Sequence, residues 1–320
     1  MSHVLFLSGK DYANLGYLLA KSIRAAGVSA TSLKRKFNPN RPKSMQSRLY
    51  QPEDESFVRA VEKADVIVHM HSAYTEIPPD LLKDKKIVVF HGGSRYRLNP
   101  RKLNGKFNPH VHLSLVQTGE LLELGAKNPH WLLPPVDLKR IKPNYTFHDS
   151  KLVVGHFSSR PDMKGNHPYA KGTLLIGIMM KSLRKAGFGD NFEYRSSQGF
   201  IPWSENLRRM GECDVYIESL GLAAKKNINR HDWSMTALEA AASGCITITN
   251  FAYEEMYKKE YGLHGLIVAN TRQGLVDVMK NLFDMDQGEL LTLKHKARAW
   301  VEEKHSFEAV GIRLRLILKI

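Results

Sequence analysis

The sequence predicts an α/β protein made of two doubly wound, Rossmann-like domains facing each other across a cleft. Three observations point there. Short apolar runs alternate with helical patterns through residues 4–117; the alternation lapses at Pro134-Pro135 and a polar stretch reaching Ser150; it restarts at Leu152. At 320 residues the chain can hold two such domains. The expected division is 1–142, 143–300 and a helical segment, 301–320, placed to pack back on the first domain.

In the first half, residues 4–8 read as a strand, 14–26 as a helix stopped at Gly27, and 28–33 as a second strand. Residues 53–63 follow as a helix and 65–71 as one continuous buried strand. Pro78-Pro79 opens a short helix, 86–91 is a strand ending in Gly92-Gly93, and 111–117 with 131–133 complete the series. In the second half, strands are expected at 152–157, 190–194, 214–217 and 265–268. Helices are expected at 172–186, 204–211, 288–304 and 307–320. Before the last strand lies the most informative segment. Leu238, Ala241 and Ala242 recur at helical spacing, Gly244 supplies a C-cap, and Ile246 and Ile248 with two threonines form a buried strand.

Composition narrows the function classes. Hydrophobic content of 42% and charged content of 25% are those of a globular protein, and no apolar run approaches the ~20 residues of a spanning helix. The opening residues have no basic n-region or cleavage site, so residues 4–8 read as a first strand and not a leader. Cys213 and Cys245 form no disulfide framework, and a reducing, cytoplasmic setting is the expectation. The net charge of +15 is concentrated in the first half, where residues 1–142 hold 23 Lys and Arg against 12 Asp and Glu. Lys34, Arg35, Lys36, Arg41, Lys43 and Arg48 fall in one acid-free stretch. It suits a solvated loop or attraction to an anionic partner: a membrane surface, a lipid-linked phosphate or nucleic acid. Few aromatics interleave with it and no recognition motif is present, which argues against nucleic acid.

Four clusters follow strands, where ligands of open α/β sheets bind. After 152–157 come Arg160 and Lys164, then Lys171-Gly172-Thr173 at a helix start; cations and free N–H groups together suit a diphosphate. Either Lys-Gly pair is able to open that helix. After 86–91 comes His91-Gly92-Gly93-Ser94-Arg95-Tyr96-Arg97, with His91 expected to point into the cleft and hold a phosphate or sugar hydroxyl or carry a proton. Ser8 to Gly16 is a strand-to-helix turn at the same edge, with Gly16 open to the donor, but it lacks full dinucleotide or P-loop spacing. Last, residues 225–233 precede the helix of Glu239. There Asp232 or Ser234 is the cap, and the N–H groups around Ser234, Met235 and Thr236 are available to an anion or sugar. Glu239 is placed to accept hydrogen bonds from two vicinal hydroxyls, as on a ribose. No His, Cys, Asp or Glu spacing asks for a metal.

Together these pieces resemble the GT-B glycosyltransferases, specifically the retaining family-4 type, over nearly the whole chain. Ala237-Leu238-Glu239-Ala240-Ala241-Ala242-Ser243-Gly244 and its strand are similar to the family's "LEAMA.G.PVI". His91 to Arg97 resembles its "HGS..R" turn, Leu132 to Asp137 its "LPNPVD" crossing, and Arg160 with Lys171 its donor cations. The resemblance implies transfer from a nucleotide sugar with retention, without metal or other cofactor. Arg160 and Lys171 would grip the diphosphate, Glu239 the ribose, and His91 would lie near phosphate and sugar. One departure stands out: the family's earlier Glu, eight positions before Glu239, is here His231, with Asp232 beside it. A glycan or lipid-linked acceptor, with the basic domain peripheral on an anionic membrane, is the leading expectation. A sugar-nucleotide epimerase, a DNA-modifying glucosyltransferase or nucleic-acid binder, and a non-catalytic nucleotide-sugar binder are the alternatives.

Overall fold

Apolar β-branched runs flanked by helices dictate parallel sheets buried on both faces, and two such sheets form. The structure, a computed structural model, describes residues 2–39, 41–73, 75–147, 151–158, 171–197, 199–220 and 232–320. The chain divides into two compact units: unit 1 comprises residues 1–137 with 304–320, and unit 2 residues 138–303. The division thus falls after Asp137 and Glu303, against expected boundaries at 142 and 300.

Unit 1 carries β1 (His3–Lys10), α1 (Leu15–Ala25), β2 (Ser29–Lys36), β3 (Arg48–Leu49), α2 (Glu55–Lys63), β4 (Val66–His69), β5 (Lys86–His91), α3 (Ser94–Leu98), α4 (Pro100–Phe107), β6 (Leu113–Val116) and β7 (Pro129–Trp131). The seven strands are parallel in the order β3-β2-β1-β4-β5-β6-β7. Unit 2 carries β8 (Leu152–His156), α5 (Thr173–Leu183), β9 (Phe192–Ser196), α6 (Trp203–Met210), β10 (Val215–Ile217), α7 (Met235–Ala242), β11 (Ile246–Thr249), α8 (Glu254–Tyr261), β12 (Ile267–Val268), α9 (Arg272–Asp284) and most of α10 (Gln287–His305). Its five parallel strands run β12-β11-β10-β8-β9. The final helix, α11 (Phe307–Leu318), belongs to unit 1. There Val310, Leu314 and Leu318 join the core of β1 and α1. Gly311 makes that possible, since a Cβ would stand 1.9 Å from the carbonyl oxygen of Ser22.

Alternation along the unit 2 strands feeds a core on each face. Leu152 and Val154 pack with Ile176 and Met180 of α5; Val153 packs with Met210, Tyr216 and Ala240 on the other side. The expected strand 65–71 ends early. β4 stops at His69, and a 3-10 turn follows, because His71 and Ser72 adopt left-handed φ of 58° and 55° that no strand continues. Helices α3, α4, α8 and α9 were not among the expected elements. Both cysteines are buried free thiols. Among the described residues no helix is long and apolar enough to cross a membrane.

Candidate functional site

In each sheet the winding reverses once, and the chain leaves a crevice at the carboxyl ends of the two strands flanking that point. In unit 2 those strands are β8 and β10. β8 ends on His156, whose Nδ1 donates to the Ile217 carbonyl at 2.7 Å while Nε2 accepts from Thr173 Oγ1 at 2.9 Å. Burial pushes its pKa down to about 4, so the ring is neutral and ties two strands to the start of α5. β10 runs into Glu218, whose side chain is 2% exposed.

Lys171 meets that carboxylate. Its Nζ donates to Glu218 Oε1 at 2.5 Å, to Ser234 Oγ at 3.0 Å and to Thr236 Oγ1 at 3.3 Å. Ser234 Oγ in turn donates to Glu218 Oε1 at 2.7 Å and accepts from the Thr236 amide, which makes it the N-cap of α7. The other carboxylate oxygen accepts from Ser219 Oγ and from Thr249 Oγ1 at 2.8 Å. Burial alone would raise the Glu218 carboxyl, but the Lys171 ammonium and the Ser219 and Ser234 hydroxyls outweigh it and hold it at about 2. The Lys171 side chain, still 23% exposed, therefore reaches from just before α5 to the first turn of α7, with its charge anchored by Glu218. Gly172 permits the approach. It has φ of +75°, and a Cβ there would lie 2.7 Å from the Leu220 carbonyl oxygen.

Of the sequence-predicted donor residues, the structure brings Lys171, Ser234, Met235 and Thr236 together at this point. Glu239 lies one turn further along α7, buried, with Oε1 accepting from Trp203 Nε1 at 2.7 Å. Asp232 is not the cap: its Oδ1 accepts from the Tyr253 amide at 3.2 Å. Arg160, Lys164 and His231 lie outside the described residues. Glu218 and His156 were not anticipated. A lone carboxylate after a buried strand carries no local pattern, and its partner is 47 residues away in sequence.

In unit 1 the reversal lies between β1 and β4. Asp11, fully buried just past β1, accepts from the Gly16 amide at 2.8 Å, the Tyr17 amide at 3.1 Å and Ser47 Oγ at 3.2 Å. The same carboxylate is 3.3 Å from His71 Nε2. Gly16 was expected to approach the donor; its amide is instead engaged by Asp11, and a Cβ would press within 3.0 Å of Ser8 Oγ. Ala13, Asn14, His71 and Ser72 all hold left-handed φ between 53° and 58°, two pairs of strained residues at one sheet edge.

His91 requires a second correction. It was expected to face a ligand, yet it has no exposed surface. Its ring stacks on Tyr96 at 3.9 Å, with Phe107 edge-on at 5.8 Å. Nδ1 is hydrogen-bonded to Ser72 Oγ at 2.8 Å, and Nε2 has no partner among the described residues. Burial pushes its pKa down to about 3. The ring is enclosed in the core and does not face a ligand directly. One strand over, His71 is 7% exposed and lies against Asp11 just past β1, and the left-handed turn that places it is invisible to hydropathy. Among the described residues no group of three or more His, Cys, Asp or Glu is placed to hold a metal.

No family model matches the chain, and no curated protein matches it. Solved structures do. HepE of Anabaena, in complex with UDP and glucose, superposes with a TM-score of 0.59 at 14% identity, over 100% of both chains. A glycosyltransferase from Rickettsia africae gives 0.61 at 12% identity over 99% of this chain and 98% of its own. Sucrose-phosphate synthase from Thermosynechococcus elongatus gives 0.55 at 13% over 100% and 98%. The chain has the GT-B fold of these structures.

Proposed function

We propose that this protein is a glycosyltransferase that moves a sugar, with retention, from a nucleotide-sugar donor to a glycan or lipid-linked acceptor, with the donor held by unit 2. The observation that carries the proposal is the Lys171 ammonium, fixed by Glu218 against the N-cap and first turn of α7. A leaving nucleoside diphosphate gains negative charge as the glycosidic bond breaks, and an immobilised cation with aligned N–H dipoles stabilises it without reorganising. The longest of the three Lys171 contacts, to Thr236 at 3.3 Å, is the one a phosphoryl oxygen would replace. Glu239, oriented by Trp203, is assigned to the ribose hydroxyls. Because Lys171 and the helix ends supply positive charge, no metal or other cofactor is part of the proposal. HepE, which shares the fold, was solved with UDP-glucose, which supports a nucleotide sugar as donor. Action in the cytoplasm, with the basic first unit peripheral on an anionic membrane, completes the reading.

One observation favours a second stereochemical outcome. His71, hydrogen-bonded to buried Asp11, is built to take a proton from an acceptor hydroxyl, as single displacement with inversion requires. Proton NMR of the anomeric centre in the product separates the two.

The test is a calorimetric and turnover screen against UDP-, GDP-, ADP- and CMP-sugars. One donor should bind and be turned over with chelator present, and Lys171→Ala should weaken its binding by at least tenfold. Failure to bind any nucleotide sugar would sink the proposal; binding without transfer or hydrolysis would leave a non-catalytic binder.

A further inference from the structure

Unit 1 contains a cavity of about 550 Å³ lined by Lys34, Phe37, Lys43, Gln46, Ser47 and Leu49. It opens where β2 gives way to the basic stretch and β3 begins. Its most unusual member is Lys34. This residue is 1% exposed, yet its ammonium has a neutral partner, the side-chain carbonyl of Gln46, and the Phe37 ring with its centroid 5.3 Å away. No carboxylate lies within ion-pair distance of it among the described residues. Asp11 acts on it from further off and already holds Gly16, Tyr17, Ser47 and His71.

Gln46 is itself held in place. Its Nε2 donates to the Asn38 carbonyl at 2.8 Å and the Arg41 carbonyl at 2.7 Å, and its Oε1 also accepts from the Asn38 amide at 3.1 Å. Its carbonyl oxygen is therefore turned toward Lys34 by the loop it clamps. Phe37 and Leu49, 43% and 52% exposed, add apolar wall, and Lys43 adds a second cation. A buried ammonium with spare donors and no carboxylate in ion-pair contact is costly unless an anion supplies the missing partner. Burial lowers the Lys34 pKa, and such an anion would raise it again. The volume is in the range of small-ligand sites, and an apolar wall beside a cation suits the C–H face of a sugar ring bearing an acidic group.

We infer that this cavity binds an oxyanion, phosphate or carboxylate, carried on a body of sugar size, with Lys34 as its counter-charge. Resting on the glycosyl-transfer reading, the ligand is the acceptor, so the acceptor is acidic.

The experiment uses the full chain and calorimetry with glucose 6-phosphate, glucuronate and inorganic phosphate, with glucose as the neutral control. Co-sedimentation with phosphatidylglycerol vesicles forms a second arm. At least one anionic probe should bind, glucose should not, and Lys34→Met should weaken binding at least tenfold while Lys83→Met leaves it unchanged. The melting temperature of Lys34→Met should equal or exceed that of the parent, which establishes that the variant is folded. Vesicle binding lost in Lys34→Met and kept in Lys83→Met would locate the oxyanion in a lipid headgroup. Equal affinity in all three proteins, or no anion bound by the parent at millimolar concentration, overturns the inference. UDP binding is measured in the same samples; if it persists while anion binding is absent, the donor reading stands and this one falls.

Discussion

The carboxyl edges of the two sheets occupy the same topological position and are finished in opposite ways. In unit 2 the described part of the edge is self-compensated: Lys171, Glu218, Ser219, Ser234 and Thr249 satisfy one another, and His156 uses both ring nitrogens. In unit 1 the edge is left open. Among the described residues His91 Nε2 and Ser8 Oγ are buried without partners, Lys34 has no carboxylate in ion-pair contact, and two pairs of residues are held left-handed. A satisfied network costs nothing further to hold in shape, so unit 2 is preorganised for an invariant ligand part. Unsatisfied groups gain when a ligand arrives, so unit 1 is the side on which recognition has most to add.

Three measurements can break or sharpen this contrast. The largest effect is expected at the ion pair. Lys171→Met alone strands a buried carboxylate and should cost about 3–5 kcal/mol of stability by denaturant unfolding. Adding Glu218→Gln should recover most of that loss. If Lys34→Met costs as much as Lys171→Met, the two edges are not different in kind.

Acid comes next. The folded pKa values of His91 and His156 are lowered to about 3 and about 4, so the unfolded chain binds more protons than the native one below the ordinary value of 6.5. Stability should be full above pH 6.5 and fall as pH drops through 4 toward 3. His91→Phe should flatten that slope, measured as melting temperature against pH, at smaller cost than His156→Phe, which also unpairs Thr173 and the Ile217 carbonyl. Equal costs would show that the lone Nε2 of His91 makes no difference.

The smallest effect is at Ala13, with φ of 53°. Ala13→Gly should stabilise by about 0.5–1 kcal/mol if strain is stored there. A loss of stability would mean the turn is relaxed.

Much of the framework was legible in the sequence because parallel strands buried on both faces are apolar runs, and those at Lys86–His91 and Ile246–Thr249 stand out by composition. Lys171 and Ser234 were legible for a local reason, as polar groups at helix starts. Other features depended on geometry that no run reveals. α9 buries Leu275, Met279 and Leu282 at helical spacing and was readable, yet its mixed polar surface hid it. β4 looked continuous to His71 because hydropathy does not register φ. His91 and His71 both follow apolar strands; only the stacking of Tyr96 decides which is closed off. Glu218 gains its meaning from a lysine 47 residues earlier, a relation set by tertiary structure.

The return of α11 to α1 has a consequence for biogenesis. Unit 2 lies within the interval between the two pieces of unit 1, so a ribosome finishes it while the first core still lacks Val310, Leu314 and Leu318. The nascent unit 1 must stay incomplete until α11 emerges, with the apolar flank of α1 exposed in the meantime. Chaperone demand during synthesis should therefore fall on unit 1 and be relieved once α11 emerges.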